Sequence, residues 1–426
     1  MSLRSVRQSA ERMIYRVAGL PVAMTAALGG SDDPLHAAFA RRYWRPESAG
    51  EWAELAGAIL LWPFALLLAS AWFTARNGPV IRGRTGKSIP AQLREQFSLY
   101  LSDGILPPWY YIFSLHDDGA RRAPTYIQRF ETKTCYFRLL KRRKGSPLND
   151  KSRFAEFCAK HGIRCVETLM SLEGTDPGQP LPARDLFVKP TGGRGGRGAE
   201  RWDRVATSTF AGPAGEQLSG DQLLDRLVAR SRETPLIVQP RMQPHPDLLA
   251  ITAGALPTLR VLTCLNEDND PEVMAAMIRT SFGRSRTVDN LHAGGIGTLV
   301  DVDSGKLGKA SNLGADARLG WFSAHPDTGA SIEGEIVPCW EEVKRQAVAA
   351  HRQFDDRVVI GWDISVLEDG PIFIEGNGNP DLDILQRFMA AGLREHRFAR
   401  LLAHHLRLRG ALLAAGERRS AQIPAK

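Results

Sequence analysis

The segment "IFIEGNGNPD", residues 372–381, decides the predicted fold of this chain. Three β-prone apolar residues lead into Glu375, and Asn377 follows after one glycine. In a strand, Phe373, Glu375 and Asn377 would share one face, because successive side chains point to opposite sides. The segment before it, "RVVIGWDISVLEDG" at 357–370, alternates large apolar residues and ends in turn-forming residues. The two segments together predict a β-hairpin.

The predicted hairpin brings two carboxylates together. If it is centred on Asp369, Asp363 lies opposite Glu375, and the Cβ atoms of such partners are ~5 Å apart. We therefore expect a loop with an odd number of residues, because a two-residue turn at Asp369-Gly370 would slip the register and separate the two acids. Two carboxylates with the amide oxygen of Asn377 suit Mg²⁺, which takes one or two carboxylates together with substrate phosphates. The alternative is an exposed hairpin whose acids never meet.

A glycine-rich loop supplies a second candidate site. In "DLFVKPTGGRGGRG", residues 185–198, an apolar strand leads into Lys189 and then into five glycines. Glycine permits the positive φ values that turn successive N–H groups toward one anion. The lysine precedes the glycines, which excludes a Walker A loop. The stretch predicts either a polyphosphate clamp or a Gly/Arg-rich hairpin tip. Lys151 lies further upstream, at the start of a predicted helix in "LNDKSRFAEFCAKHGI", residues 148–163.

The N-terminal third contains a long apolar run. Residues 55–73, "LAGAILLWPFALLLASAWF", are nineteen residues without a charge, about the length that crosses a bilayer. Trp52 and Trp72 lie near its ends, as in an interfacial aromatic belt. We predict a membrane-inserted segment. The alternatives are a buried core helix or, because of Pro63, a helix–break–helix hairpin that enters one leaflet.

Composition and charge limit the expected partners and the expected cellular compartment. The 426 residues carry a net charge of +8, which suits an anionic partner. The five cysteines show neither CxxC nor zinc-ligand spacing, which indicates a reducing compartment without a disulfide framework or structural metal. An excess of Lys and Arg after the apolar run favours a cytoplasmic location for the C-terminal side.

The order and spacing of these motifs resemble those of ATP-grasp enzymes over residues 148–390. The shared features are an early lysine, a strand lysine before a glycine-rich flap, and D-x(11)-E-x-N spacing. In ribosomal-protein glutamate ligases an arginine-bearing strand precedes an N-L-H-x-G-G loop, and "MIRTSFGRSRTVDNLHAGG" at 277–295 is similar. The nearest subgroup is the sugar-transfer-associated ATP-grasp family, which is related to alpha-L-glutamate ligases. At position 381 this sequence has Asp where related sequences have glycine. The glutamate that commonly binds ribose in these enzymes is also missing, and Asp247 is a candidate to replace it.

The resemblance implies an α+β, ATP-grasp fold, in which two α+β subdomains clasp ATP, preceded by a helical N-terminal region with a membrane segment. It implies two Mg²⁺ ions on Asp363, Glu375 and Asn377. Nucleotide contacts are implied for Lys151, Lys189, Gly192, Gly193, Gly195, Gly196, Gln239 and Met242. Catalytic roles are implied for Arg260, Arg279 and Asn290, with the two arginines stabilising a transferring phosphoryl group and an acyl phosphate. His292 is a further candidate for orienting substrate.

We expect five regions: a basic helical region at 1–50, a membrane segment at 51–76, a helical region at 77–147, the ATP-grasp domain at 148–410 and a tail at 411–426. The expected activity is ATP- and Mg²⁺-dependent carboxylate–amine ligation through an acyl phosphate, acting on a glycan precursor or an amino-acid conjugate at the inner membrane face. The alternative is an ATP-grasp kinase or a membrane-tethered nucleotide-binding partner of sugar-transfer enzymes. The catalytic domain would face the cytoplasm, or the whole protein would be cytoplasmic. We expect membrane and ATP as partners, and no nucleic acid.

Overall fold

The computed structural model describes residues 3–28, 33–140, 146–192, 197–283, 287–291, 294–315, 317 and 320–421. The first third of the chain is helical, as predicted. Its helices are α1 (Leu3–Ala27), α2 (Pro34–Tyr43), α3 (Ala49–Thr85), α4 (Ile89–Asp103), α5 (Pro107–Ile112), α6 (Leu115–Arg122) and α7 (Arg129–Leu139).

Helix α3 contains the apolar run. It begins at Ser48, whose side chain accepts a hydrogen bond from the Glu51 N–H, and it ends at Gly86, whose φ of 75° is left-handed. The helix is about 55 Å long at 1.5 Å per residue. It continues through Pro63, so the helix–break–helix alternative is wrong. Among the described residues, α3 is the one helix long and apolar enough to cross a membrane, and little of its apolar stretch is buried.

Two six-stranded antiparallel sheets follow. The first, with order β1-β6-β2-β3-β4-β5, is formed by β1 (Met170–Leu172), β2 (Leu186–Pro190), β3 (Glu200–Ala206), β4 (Thr209–Ala211), β5 (Gln217–Ser219) and β6 (Leu236–Pro240). The second, with order β10-β9-β8-β7-β11-β12, is formed by β7 (Thr258–Leu265), β8 (Pro271–Thr280), β9 (Ile296–Val300), β10 (Leu307–Ser311), β11 (Val359–Leu367) and β12 (Gly370–Asn377). The remaining helices are α8 (Lys151–Lys160), α9 (Gly220–Ser231), α10 (Pro246–Leu249), α11 (Trp340–His351), α12 (Asp383–Met389) and α13 (Arg397–Ala421). The predicted α+β, ATP-grasp fold with two subdomains is confirmed.

Each sheet forms its own core. In the first lobe, Trp202 is buried together with Leu223 and Leu227 of α9. In the second lobe, Trp362 is buried with the apolar face of α11. The alternation of β11 therefore points its large apolar residues into this core. Asp363 is left on the opposite face of the sheet.

The helical region packs firmly on the second lobe. Gln386 of α12 bonds both the N–H and the carbonyl of Ile127, each at 2.9 Å. Arg394 pairs at 2.8 Å with Glu131 of α7, which is buried. Asn77 of α3 accepts a hydrogen bond of 3.0 Å from the N–H of Ala317. These buried polar bonds are costly to break, so the helices and the second lobe form one body.

Candidate functional site

The hairpin of β11 and β12 pairs Asp363 with Glu375, as predicted. The reason for the pairing is different from the predicted one. Leu367 pairs with Gly370, so the loop contains two residues, and the prediction of an odd loop is wrong. A β-bulge restores the pairing, because Ile364 pairs with Phe373 while Asp363 pairs with Glu375.

The bulge also decides which residues share a face. Ile374 is the extra residue, so Phe373 and Glu375 lie on opposite faces, contrary to the prediction. Phe373 packs edge-on against Trp362 in the core, with ring centroids 5.3 Å apart. Without the bulge, the two-residue turn would direct Glu375 into this core. A Cβ at Gly376 would lie 2.5 Å from a methyl group of Leu148, so close packing beneath the strand requires glycine there.

Asp363 is held between two arginines from neighbouring strands. Its carboxylate accepts hydrogen bonds from Arg260 Nε at 2.5 Å and from Arg279 Nη2 at 3.1 Å. Burial alone would raise the pKa of Asp363, but the two guanidinium groups hold it below its ordinary value. The carboxylate is therefore ionised and fixed in position at neutral pH.

Arg279 contacts a second carboxylate that the sequence analysis missed. Its Nε is 3.5 Å from Oδ2 of Asp289. Burial raises the pKa of Asp289, while Arg279 and the Thr258 hydroxyl oppose the rise. The available signal was its position, one residue before Asn290 in the predicted loop. Asn290 is partly buried, and its carbonyl accepts a hydrogen bond of 3.0 Å from the N–H of Gly295.

Two lysines approach the same carboxylates from other elements. Lys151, the first residue of α8, lies 3.8 Å from Glu375. Lys189 reaches the site from β2 of the first lobe. Burial and the nearby Lys151 lower the pKa of Lys189 to about 8, while Glu375 and Asp363 act in the opposite direction. The structure thus brings both predicted lysines to the paired carboxylates.

The remaining predicted nucleotide contacts lie on both lobes. In the first sheet, Gln239 pairs with Phe187, and Ile237 pairs with Lys189. All four residues lie on the face of the sheet opposite the first-lobe core. Met242 packs beside an apolar cluster that includes the bulge residue Ile374.

The six other predicted residues lie near strand ends or outside the described part of the chain. The Oδ1 atom of Asn377 accepts a hydrogen bond of 2.9 Å from the N–H of Asn379. Gly192 is exposed just after β2. Gly193, Gly195, Gly196 and His292 lie outside the described residues.

The oxygen donors fit Mg²⁺. Within the described part of the chain, no group of three or more His, Cys, Asp and Glu side chains is arranged to hold a metal ion. The paired Asp363 and Glu375 with the Asn377 amide form a smaller set of hard donors. Such a set suits Mg²⁺, which completes its shell with water and phosphate oxygens. Asp363 would share its oxygens with the arginines that now bind it.

Comparisons with curated proteins and with solved structures give different results. A search of curated proteins finds no match. Similar solved structures include D-cycloserine synthetase DcsG, with 17% identity and a TM-score of 0.34 over 61% of this chain and 71% of that chain. They also include D-alanine–D-alanine ligase from Bacillus anthracis complexed with ATP, with 11% identity and a TM-score of 0.33 over 62% of this chain and 66% of that chain. A third is L-amino acid ligase from Bacillus licheniformis, with 10% identity and a TM-score of 0.37 over 69% of this chain and 59% of that chain.

The sequence match to a family is more extensive. The model of the sugar-transfer associated ATP-grasp family matches residues 131–400, well over half of the chain. The matched range includes both sheets and every predicted site residue. This chain belongs to the sugar-transfer associated ATP-grasp family.

Proposed function

We propose that this protein is an ATP- and Mg²⁺-dependent ligase that joins a carboxylate to an amine through an acyl phosphate. One observation carries the proposal: four cationic side chains from both lobes converge on one pair of carboxylates. The cations are Lys151, Lys189, Arg260 and Arg279, and the carboxylates are Asp363 and Glu375. Phosphoryl transfer depends mainly on positioning and on cationic stabilisation of the phosphates, and this cluster provides both.

We assign a role in the proposed reaction to each residue of this cluster. Lys151 and Lys189 would bind the α and β phosphates of ATP, with the glycine-rich loop after Lys189 closing over them. The amide of Gln239 and the apolar side chain of Met242 would meet the adenine. Mg²⁺, expected as two ions on the oxygen-donor set, would neutralise the charge of the phosphates.

The proposed reaction has two steps. A carboxylate oxygen of the first substrate attacks the γ-phosphorus, the bond from that phosphorus to ADP breaks, and an acyl phosphate forms. The amine of the second substrate then attacks the acyl carbon, phosphate leaves, and the amine loses a proton. Arg260 and Arg279 would stabilise the negative charge that moves through both steps. Asn290, which follows Asp289 in the sequence, would help to hold the acyl phosphate.

The arginines must change partners for this to work. Both oxygens of Asp363 accept hydrogen bonds from guanidinium groups, at 2.5 Å to 3.2 Å. Mg²⁺ would compete for these oxygens, and the phosphates would compete for the guanidinium groups. Since both exchanges need Mg²⁺ and ATP together, we expect weak Mg²⁺ binding without nucleotide.

The cellular setting is part of the proposal. The apolar α3 and the family's association with sugar transfer support action on a glycan precursor or an amino-acid conjugate at the inner membrane face. The catalytic lobes would face the cytoplasm, where ATP is available. The described cysteines are unpaired thiols, which agrees with a reducing compartment.

A condensation assay tests the proposed activity. The full-length protein is incubated with ATP, Mg²⁺ and a panel of amino acids and glycan precursors, and ADP, phosphate and new masses are recorded. We expect equal amounts of ADP and phosphate, and a product lighter than its two substrates by one water. A product that keeps the phosphoryl group would instead identify a kinase and overturn the ligase proposal.

Glu375→Gln provides the test of the site. The Glu375 side chain is 38% exposed, so the substitution should leave the fold intact while Mg²⁺-dependent turnover is lost. Glu368→Gln is the matched control, since Glu368 is an exposed carboxylate in the loop of the same hairpin. Normal ADP release from Glu375→Gln would remove the basis for the metal site.

A further inference from the structure

Helix α3 exposes apolar side chains along one face. The α3 stripe consists of Leu60, Leu61, Phe64, Leu67, Leu68 and Trp72. Leu60, Phe64 and Leu68 are 71%, 65% and 71% exposed. Because these residues recur at intervals of three and four, they form a single line on the helix surface. A contiguous apolar surface of this kind marks a binding face.

The opposite face of α3 is covered by protein. Leu55, Ala58 and Leu66 are buried there. Trp62 stacks on Tyr100 of α4, with ring centroids 5.6 Å apart. Further along the helix, Gln96 of α4 donates a hydrogen bond of 2.7 Å to the hydroxyl of Thr74. Helix α3 is therefore available to another molecule on one side only.

The helices behind α3 carry charges beside the N-terminal end of the apolar run. Arg12 of α1 pairs with Glu54 at 2.7 Å. Behind α1, Lys133 of α7 lies 4.3 Å from the ring centroid of Tyr15. If α3 crossed a bilayer while packed in this way, these charged helices would enter the hydrocarbon, which is strongly unfavourable. The stripe itself extends for about 18 Å along the helix, less than the hydrocarbon thickness of about 30 Å.

The charge around the stripe indicates which surface it meets. Between Glu54 and Glu95 the sequence has no acidic residue and five basic ones: Arg76, Arg82, Arg84, Lys87 and Arg94. The three arginines just after the stripe are exposed. Trp52 and Trp72, 58% and 69% exposed, have the amphipathic rings that favour the headgroup level. A partner with an apolar interior and an anionic surface matches both features.

We propose that α3 lies in the plane of an anionic membrane surface, with the α3 stripe inserted into one leaflet and without crossing the bilayer. Apolar side chains would enter the acyl boundary while the arginines contact lipid phosphates. The protein-covered face of α3 would remain on the aqueous side with the rest of the chain. This arrangement rests on the surface of α3 and does not depend on ligase activity.

Vesicle binding tests the stripe. The full-length protein is sedimented with phosphatidylcholine vesicles and with vesicles that also contain phosphatidylglycerol. We expect tighter binding to the anionic vesicles, and a loss of at least about tenfold in Phe64→Glu/Leu68→Glu. The matched control is Leu249→Glu/Ile336→Glu, since these residues are 51% and 63% exposed but lie outside the stripe. Unchanged thermal unfolding and ATP-analogue binding would show that the variants are folded.

Three results of this test would overturn the proposal. The first is undiminished vesicle binding by the stripe variant, and the second is equal loss in the control. The third is a wild-type dimer that the stripe variant converts to monomer without any vesicle binding, which would identify a second copy of the chain as the occupant.

Labelling from each side of the membrane distinguishes insertion from crossing. Ala53 and Ala75 are exposed near the two ends of the apolar run, so each is replaced by cysteine in a Cys339→Ser background that removes the exposed native thiol. A membrane-impermeant maleimide is applied to spheroplasts and to inside-out vesicles. We expect both cysteines to react only in inside-out vesicles. Reaction of the two positions from opposite sides would establish a membrane crossing instead.

Discussion

Replacement of Arg279 by methionine is the perturbation with the most defined consequence. Arg279 is 8% exposed and lies 3.1 Å from Asp363 and 3.5 Å from Asp289. Methionine is unbranched and uncharged but shorter, so it would fill the inner part of the space without pairing either carboxylate. Asp363 would then keep only the guanidinium of Arg260, and Asp289 would lose its ion pair with Arg279.

The structure sets the size of the effect. Removing one partner of a buried ion pair costs about 3–5 kcal/mol, because the other charge is left without compensation. Arg260 stays 2.5 Å from Asp363, which favours the lower end of that range. At a urea m value of about 3 kcal/mol/M, a loss of about 3 kcal/mol lowers the unfolding midpoint by about 1 M.

The pH dependence has a definite sign. In the native protein, the guanidinium groups hold the pKa of Asp363 below its ordinary value, so this carboxylate stabilises the fold above its unfolded pKa. Without Arg279, the pKa values of Asp363 and Asp289 both rise, and the ionised acids destabilise the fold at neutral pH. As the pH falls through the raised values the acids become neutral, so the difference from wild type should shrink.

Urea unfolding at about pH 7.5 and about pH 5 measures both effects. Arg352→Met is the control, since Arg352 pairs with Asp270 at 3.6 Å with side chains 57% and 64% exposed, and such pairs contribute at most about 1 kcal/mol. A loss of less than about 1 kcal/mol for Arg279→Met, or a loss that grows toward low pH, would refute the role of Arg279 as the shared cation of two buried acids.

Three further predictions concern the same region. Because the pKa of Lys189 is about 8 before nucleotide binds, affinity for a non-hydrolysable ATP analogue should be greatest below that pH and fall above it by up to about tenfold per pH unit; calorimetric titration should show a flatter profile for Lys189→Arg. Deletion of Ile374 should remove the bulge while keeping Glu375 opposite Asp363, so Mg²⁺-dependent turnover should persist in the deletion variant as in Ile374→Val, and its loss would count against this register. Burial raises the pKa of Asp383 to about 8, so at neutral pH folding must protonate this acid, a cost that Asp383→Asn removes. Asp383→Asn should therefore raise the unfolding midpoint at neutral pH, while Asp383→Ala, which leaves the Trp109 N–H unpaired, should raise it less.

The hairpin shows what the sequence can predict. Alternation in β11 is a local property, and it correctly assigned Trp362 to the core and Asp363 to the opposite face. The pairing of Asp363 with Glu375 depends on how many residues the loop and any bulge contain. A three-residue loop without a bulge and a two-residue loop with a bulge both place Asp363 opposite Glu375. Nothing in the residues around Ile374 distinguishes the two, so the prediction had the right partner and the wrong turn.

Helix α3 shows a different limit. Its apolar run is almost uniform around the helix, so composition predicts insertion or burial without selecting a face. The packing of α1 and α4 selects the face, and this is a tertiary property. A weak signal was present in the polar residues Ser70, Thr74 and Asn77, whose spacing of four and three places them on one side, and all three are buried. Asp289 was missed for a similar reason, because only the fold brings it to Arg279.

The helical region contacts the second lobe both at the edge of the candidate site and far from it. Arg129 of α7 pairs at 3.0 Å with Asp381, which lies between β12 and α12. Asn77, on the covered side of α3, bonds the second lobe at Ala317. If α3 lies in the membrane plane, these contacts hold the carboxylate pair at a fixed height above the lipid surface. A membrane-linked acceptor would then reach the site by lateral diffusion, and shortening its polar spacer should reduce kcat/KM for that acceptor while leaving the affinity for ATP unchanged.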